Sequence, residues 1–320
     1  MSRCLYCGKE IPDTPSEEEK RTCWHERCAA RFFGTRHIPT IDLSEQTLQK
    51  IVLEKVSDGS AVTGVQKKLS LHYERAAQRL TLTGDPAGYI LKPQTDLYPW
   101  MPEYEDAAMR IAEAAGIRTV PHGMILISGQ RAYITKRIDR KEGKYGTSKY
   151  AMEDFCQLSL RLTEDKYHGS YEGCGRVIEQ YSSRQGIDAT EMFLRVVISF
   201  LTGNSDMHLK NFSLIEKHPG KRDFVLSPAY DMIPAGVILP EDEEDMALTL
   251  NGKKRHLHRN DFRKLASSIA VDATAAVRII DRAIKEESLF EDVVHNSFLP
   301  ESEQQKLIAC MRERTRRLMK

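Results

Sequence analysis

The spacing at which apolar residues recur changes once along this 320-residue chain, and that change constrains the fold more than any other feature. From about residue 60 to 140 they alternate in short runs: Lys68 to Tyr73, Arg79 to Thr83, Tyr89 to Lys92, His122 to Ser128 and Arg131 to Arg137. A helical pattern from about Glu103 to Ala115, stopped at Gly116, interrupts them. The polar, glycine-bearing stretch 141–150 reads as a flexible loop. Beyond it, Met152 to Leu162 and Glu191 to Leu201 carry apolar residues at helical spacing, and the tail from about Asp261 to Lys320 holds three amphipathic stretches. A small sheet with one helix, followed by a helical half, predicts an α+β protein of two lobes.

Charge and cysteine usage narrow the function. Lys and Arg number 47 against 46 Asp and Glu, a formal net charge of +1, so nucleic-acid or anionic-membrane binding would need a local patch. The longest apolar stretch, around Val196 to Leu201, is far too short for a bilayer, and Met1-Ser2-Arg3-Cys4 opens no signal region, so a cytoplasmic protein without membrane contact is expected. Seven cysteines, an odd count, argue against a disulfide framework. Four of them fall in the first 28 residues. Cys4-x-x-Cys7 and His25-x-x-Cys28 form two chelating pairs for one tetrahedral Zn²⁺, with Cys23 the alternative to His25. Residues 1–35 have too few apolar side chains for a core of their own, so a structural zinc knuckle is expected there. Lys20, Arg21, Arg27 and Arg31 nearby leave a nucleic-acid-reading knuckle as a second reading.

The string from Phe200 to Ile215 is the most site-like. A helix ends at Gly203, a polar loop carries Asp206 and Asn211, and Phe212 to Ile215 reads as a strand. Asp206 and Asn211 stand as far apart as the aspartate and asparagine of a kinase catalytic loop, where the carboxylate deprotonates the acceptor hydroxyl and the amide oxygen binds magnesium. A turn at His218 to Lys221 and a returning strand Phe224 to Leu226 would fold Asp231 back beside Asn211, two oxygen ligands for one hard cation. Lys92, at a strand end before Pro93, is placed to reach phosphate, with Glu103 or Glu105 as its partner. The bland reading is that these polar residues cap helices and strands, and that His208 only braces the loop. Upstream, Gly59 to Lys68 matches neither the P-loop nor the G-x-G-x-x-G spacing.

These residues together resemble the HipA-like kinases, over about residues 60 to 265. The run Val62 to Leu71 resembles that family's phosphate loop and first strand, Ile90 to Pro93 its nucleotide lysine, and Tyr133 to Arg140 its hinge. Met152 to Gln157 resembles the first helix of its C-lobe, Gly203 to Leu214 its catalytic loop, Ala229 to Met232 its metal-binding aspartate motif and Met246 to Gly252 a further segment. The resemblance implies a bilobal protein-kinase-like fold, an N-lobe at 36–140 and a C-lobe at 141–320, behind the zinc-knuckle-like module read at 1–35 from the cysteine spacing. It implies a serine/threonine kinase of a toxin–antitoxin system using ATP and Mg²⁺, with Asp206 as base, Asn211 and Asp231 on the metal and Lys92 on phosphate. Thr63, Gly64, Val65, Gln66 and Lys68 would cover the phosphates, His208 would lie at the nucleotide site, and Lys136 and Ile138 match the adenine-contacting hinge. Ser60 or Thr63 would accept an autophosphorylation. The short stretch before the phosphate loop resembles HipT-type relatives, which implies a small companion subunit and a helix-turn-helix antitoxin, with nucleic acid reached only through the latter. A protein substrate is expected, an aminoacyl-tRNA synthetase among the candidates. An ATP-binding regulator without turnover and a small-molecule hydroxyl kinase are the alternatives.

Overall fold

The computed structural model describes residues 3–41, 68–82, 88–143, 146–239 and 241–320. They fall into two compact units, Met1–Asp106 with Val120–Ser148, and Ala107–Thr119 with Lys149–Lys320. Thr63, Gly64, Val65 and Gln66, the expected phosphate-loop residues, and Ser60 lie outside the described residues.

In the first unit a short strand β1 (Thr40–Ile41), not expected from the alternation, precedes the alternating runs, which become strands β2 (Leu69–Glu74), β3 (Arg79–Leu82), β4 (Tyr89–Lys92), β5 (His122–Ile127) and β6 (Gln130–Lys136). Each of the five expected strands is present to within one residue at either end. They form one sheet in the order β1-β3-β2-β4-β6-β5, antiparallel except for the β1–β3 pair. Alternation drives it: Leu69, Leu71 and Tyr73 are buried while Ser70, His72 and Glu74 are half-buried. The register sets Lys92 opposite Tyr133 and Tyr89 opposite Lys136. Residues 141–150 are not a plain loop: β7 (Arg140–Gly143) and β8 (Gly146–Lys149) pair as a ribbon. The sequence of the two strands carries no apolar alternation, which is why composition pointed elsewhere.

The N-terminal segment solves its shortage of apolar residues by sharing the sheet's core. Helices α1 (Glu17–Thr22) and α2 (Glu26–Phe33) flank Trp24, and Trp24 and Phe32 are fully buried. Ring centroids of Phe32 and Phe33 lie 5.7 and 5.6 Å from that of Tyr89 on β4. The same segment covers the outer edge of β5: Met124 N–H donates to the Leu5 carbonyl at 3.0 Å, and Trp24 Nε1–H donates to the Met124 carbonyl at 2.8 Å. A side chain at Gly123 would meet the Leu5 carbonyl oxygen and Tyr6 Cα at 3.3 Å, so glycine permits the approach.

Helix α3 (Met101–Ala114) begins in the first unit and ends in the second. The second unit continues with β9 (Met152–Asp154), α4 (Phe155–Leu158), α5 (Tyr171–Tyr181), α6 (Gln185–Leu201), β10 (Ser213–Glu216), β11 (Phe224–Leu226) and α7 (Ala235–Ile238). It closes with α8 (Arg259–Ser268), α9 (Ala273–Lys285), α10 (Glu287–His295) and α11 (Glu301–Met319). On α6, Val196, Val197, Ile198 and Phe200 have no exposed surface, the apolar C-terminal half of the helix being buried on nearly every side. Two expectations need correcting. Met152 to Leu162 is not one helix: Met152–Asp154 pairs with β10, and Asp154 with Gln157 forms a capping box that starts the helix only at Phe155. The tail holds four helices, not three, because Glu286 both ends α9 and caps α10, so the sequence shows no break there.

Candidate functional site

The second unit builds the Asp206 loop from the end of α6. Gly203, at φ +72°, turns the chain out of the helix in the left-handed conformation. Asp206 N–H donates to Asn204 Oδ1 at 3.1 Å, and the Asp206 carbonyl accepts from His208 N–H at 2.8 Å and from Asn211 Nδ2 at 2.9 Å. A direct hydrogen bond therefore closes the Asp206 to Asn211 spacing. It commits the amide nitrogen of Asn211 as donor and leaves the amide oxygen as the end that could face a cation. Asp206, His208 and Asn211 are all buried. Tyr167 Oη donates to Asp206 Oδ1 at 2.5 Å and its ring meets His208 edge-on, centroids 5.0 Å apart. Tyr171, fully buried, donates its hydroxyl to the Met207 carbonyl at 3.0 Å, and burial pushes its phenol well above the usual range.

The expected hairpin is present and brings the Asp231 segment to the loop. Leu214 pairs with Leu226 and Ile215 with Val225, and Ser227 N–H continues the ladder to the Ser213 carbonyl at 2.9 Å. Tyr230 Oη donates to the Lys210 carbonyl at 3.0 Å, tying the residue before Asp231 to the residue before Asn211. Asp231 itself sits at φ +58°, a conformation that aspartate tolerates better than most side chains. Its carboxylate and the Asn211 amide are hard oxygen donors of the kind Mg²⁺ takes. Arg195, buried on α6, supports the same segment by donating to the Ser227 carbonyl while pairing with Glu191 at 2.5 Å.

In the first unit Lys92 is 3 % exposed and its Nζ meets Glu105 Oε1 at 2.5 Å. Of the two expected partners, Glu105 is the one that pairs. Glu103 instead accepts from Gln94 at 2.7 Å and faces Arg131 at 3.4 Å, and burial raises its carboxyl above the usual range. Lys136 places its Nζ 5.9 Å from the Tyr89 ring, Ile138 is half-buried beyond β6, and Lys68 is exposed before β2.

The cysteine expectation resolves to one cluster. The ligand atoms of Cys4, Cys7, His25 and Cys28 all lie within 4.8 Å of one another. Cys7 Sγ and Cys28 Sγ stand 3.4 and 3.6 Å from His25 Nδ1. A tetrahedral zinc would set thiolate and imidazole about 3.6 Å apart, so the set fits. His25 Nε2 lies 3.0 Å from the Glu10 carbonyl, the kind of contact that orients a ligating imidazole. Cys23, the alternative ligand, instead ends α1 at φ 54° and is not among the four. Tyr167, Tyr171 and Tyr230 were not anticipated. Only Tyr230, next to Asp231, sits beside a motif, whereas Tyr167 lies 39 residues from its partner.

Residues 60–288 match the family model of the HipA-like C-terminal domain. A Haemophilus influenzae protein named as a candidate kinase is 24% identical over 293 residues, 82% of this chain and 82% of that protein. The serine/threonine-protein kinase toxin HipA of Shewanella oneidensis is 25% identical over 214 residues, 60% of this chain and 46% of HipA, so the chain spans less than half of that relative. The solved complex of Shewanella oneidensis MR-1 HipA with HipB and operator DNA contains a chain matching at a TM-score of 0.73 and 17% identity, over 86% of this chain and 70% of that one. That likeness shows a shared α+β fold. Among the described residues no helix is long and apolar enough to cross a membrane.

Proposed function

The chain belongs to the HipA-like C-terminal domain family, and from that premise we propose that it is a serine/threonine protein kinase of a toxin–antitoxin system. The observation that carries the proposal is the Asp206 loop, closed onto Asn211 by a hydrogen bond and tied through Tyr230 to the segment of Asp231. In this reading Asp206 takes the proton of a protein hydroxyl, the hydroxyl oxygen bonds to the γ-phosphorus of ATP, and ADP leaves. Asn211 and Asp231 would hold Mg²⁺, which offsets phosphate charge when bound, and Lys92, fixed by Glu105, would hold phosphate. Backbone groups near Lys136 and Ile138 would meet adenine, and Lys68 and His208 would flank the nucleotide.

Other parts of the proposal rest on the relatives. Partnership of HipA with HipB on operator DNA supports a helix-turn-helix antitoxin partner, with DNA reached through it. A small companion subunit, a protein substrate such as an aminoacyl-tRNA synthetase, autophosphorylation at Ser60 or Thr63 and a cytoplasmic location complete the reading. Cys4, Cys7, His25 and Cys28 would hold a structural Zn²⁺. The test is phosphate incorporation from ATP by wild type and Asp206→Asn, with modified sites mapped by mass spectrometry. Loss of the base should lower incorporation by roughly 10²–10⁴-fold. Equal labelling of both proteins would remove Asp206 from the reaction.

A further inference from the structure

Tyr167 holds the position on Asp206 that an acceptor hydroxyl needs. Its phenol donates to Oδ1 at 2.5 Å, and the other carboxylate oxygen, Oδ2, is shut away from solvent. A general base must come within about 2.6–3.2 Å of the oxygen whose proton it takes. In this conformation one oxygen of Asp206 is taken by a phenol and the other is walled in, so no incoming hydroxyl reaches either.

The main chain of Asp206 is held without the phenol. Backbone groups already fix that residue: its N–H is bound by Asn204 Oδ1, and its carbonyl by His208 N–H and Asn211 Nδ2. The main chain around Tyr167 is fixed as well. Leu209 N–H donates to the Lys166 carbonyl at 3.1 Å, and Thr249 donates to the Gly169 carbonyl through its N–H at 3.2 Å and its hydroxyl at 3.1 Å. Tyr171, four residues on, is fully buried, whereas Tyr167 is half-buried with its ring edge-on to His208. Rotation of the Tyr167 side chain to another staggered rotamer would release Asp206 without moving the backbone.

We propose that Tyr167 is an internal occupant of the acceptor site: its phenol keeps Asp206 closed, and an incoming serine or threonine hydroxyl must displace it. The proposal rests on the kinase reading of Asp206. Tyr167→Phe keeps the ring against His208 and removes the competing donor, which makes it the informative variant; Tyr167→Leu, with melting curves for both, controls for packing.

The experiment measures ADP release from Mg-ATP by the full chain, with water as acceptor and with a synthetic peptide of residues 57–68, which carries Ser60 and Thr63. A hydrogen bond to a charged group is strong enough that its removal should lower the KM for the peptide by roughly tenfold and raise ADP release without peptide, with kcat not reduced. If Tyr167 instead orients Asp206, Tyr167→Phe will lower kcat and leave KM unchanged, and the proposal is overturned while the kinase reading stands. ADP release from neither wild type nor Tyr167→Phe would overturn the kinase reading and this proposal with it.

Discussion

Lys92 and Glu105 are a buried ion pair, and such a pair is worth most for what happens when half of it is removed. The side chains are 4% and 1% exposed, so a lone charge at either place would be left without water. Glu105→Gln should destabilise the protein by roughly 3–5 kcal/mol, whereas the double variant Lys92→Met with Glu105→Leu should recover most of that stability and none of the kinase activity. Denaturant unfolding alongside phosphate incorporation separates the two effects; a double variant that regained activity would remove Lys92 from phosphate binding. The pair was only half legible beforehand. The strand end at Lys92 and the helix start were readable, but two glutamates two residues apart point to opposite sides of a helix turn, and only the sheet's position selects between them. Tyr167 was not legible at all, since nothing within its own segment marks a partner 39 residues away.

Among the elements, the N-terminal segment shows how a metal site and a sheet depend on each other. Cys4 and Cys7 lie in the turn whose Leu5 carbonyl bonds Met124 on β5, and His25 and Cys28 bracket the start of α2, whose Phe32 and Phe33 pack on Tyr89. Burial raises the Cys4 and Cys28 thiols, so without a cation they would stay protonated. Because the four ligand atoms already lie within 4.8 Å of one another, the purified protein should contain one zinc per chain, and a chelator should expose Trp24 and red-shift its fluorescence. Even a loss of about 3 kcal/mol would lower the melting temperature by roughly 4–5 °C, at about 2.1 cal/mol/K of unfolding entropy per residue. Cys7→Ser should lose zinc and Cys23→Ser should keep it; elemental analysis decides, and zinc retained by Cys7→Ser would disprove the ligand set. Paired spacings made the cluster readable from sequence, and strict alternation did the same for β2 to β6. The β7–β8 ribbon escaped because its residues alternate in nothing.

At the scale of the whole molecule, the C-terminal helix is held by a charge cluster that closes a long stretch of chain. Arg317 on α11 makes a forked contact with the Asp245 carboxylate, Arg314 donates to the Asp245 carbonyl at 3.0 Å, and Leu257 N–H donates to Asp245 Oδ2 at 3.1 Å. Burial opposes ionisation of Asp245, but Arg317, Arg314 and the Leu257 N–H together outweigh it and hold the carboxyl below the usual carboxylate range. A folded-state pKa below the unfolded value of about 3.9 gives stability that is complete above that value and lost as pH falls through the folded pKa. The cluster should thus be indifferent to pH between 5 and 8 and should fail only below about pH 4. Asp245→Asn should lower the melting temperature at pH 7 and flatten its decline between about pH 4 and pH 2, since no carboxylate remains to titrate there. Circular dichroism melts of both proteins across that range make the comparison. Parallel decline of wild type and variant would place the acid-sensitive carboxylate elsewhere, with Asp261, bound by Asn251 and Lys253 and also held low against an opposing burial effect, the next to test.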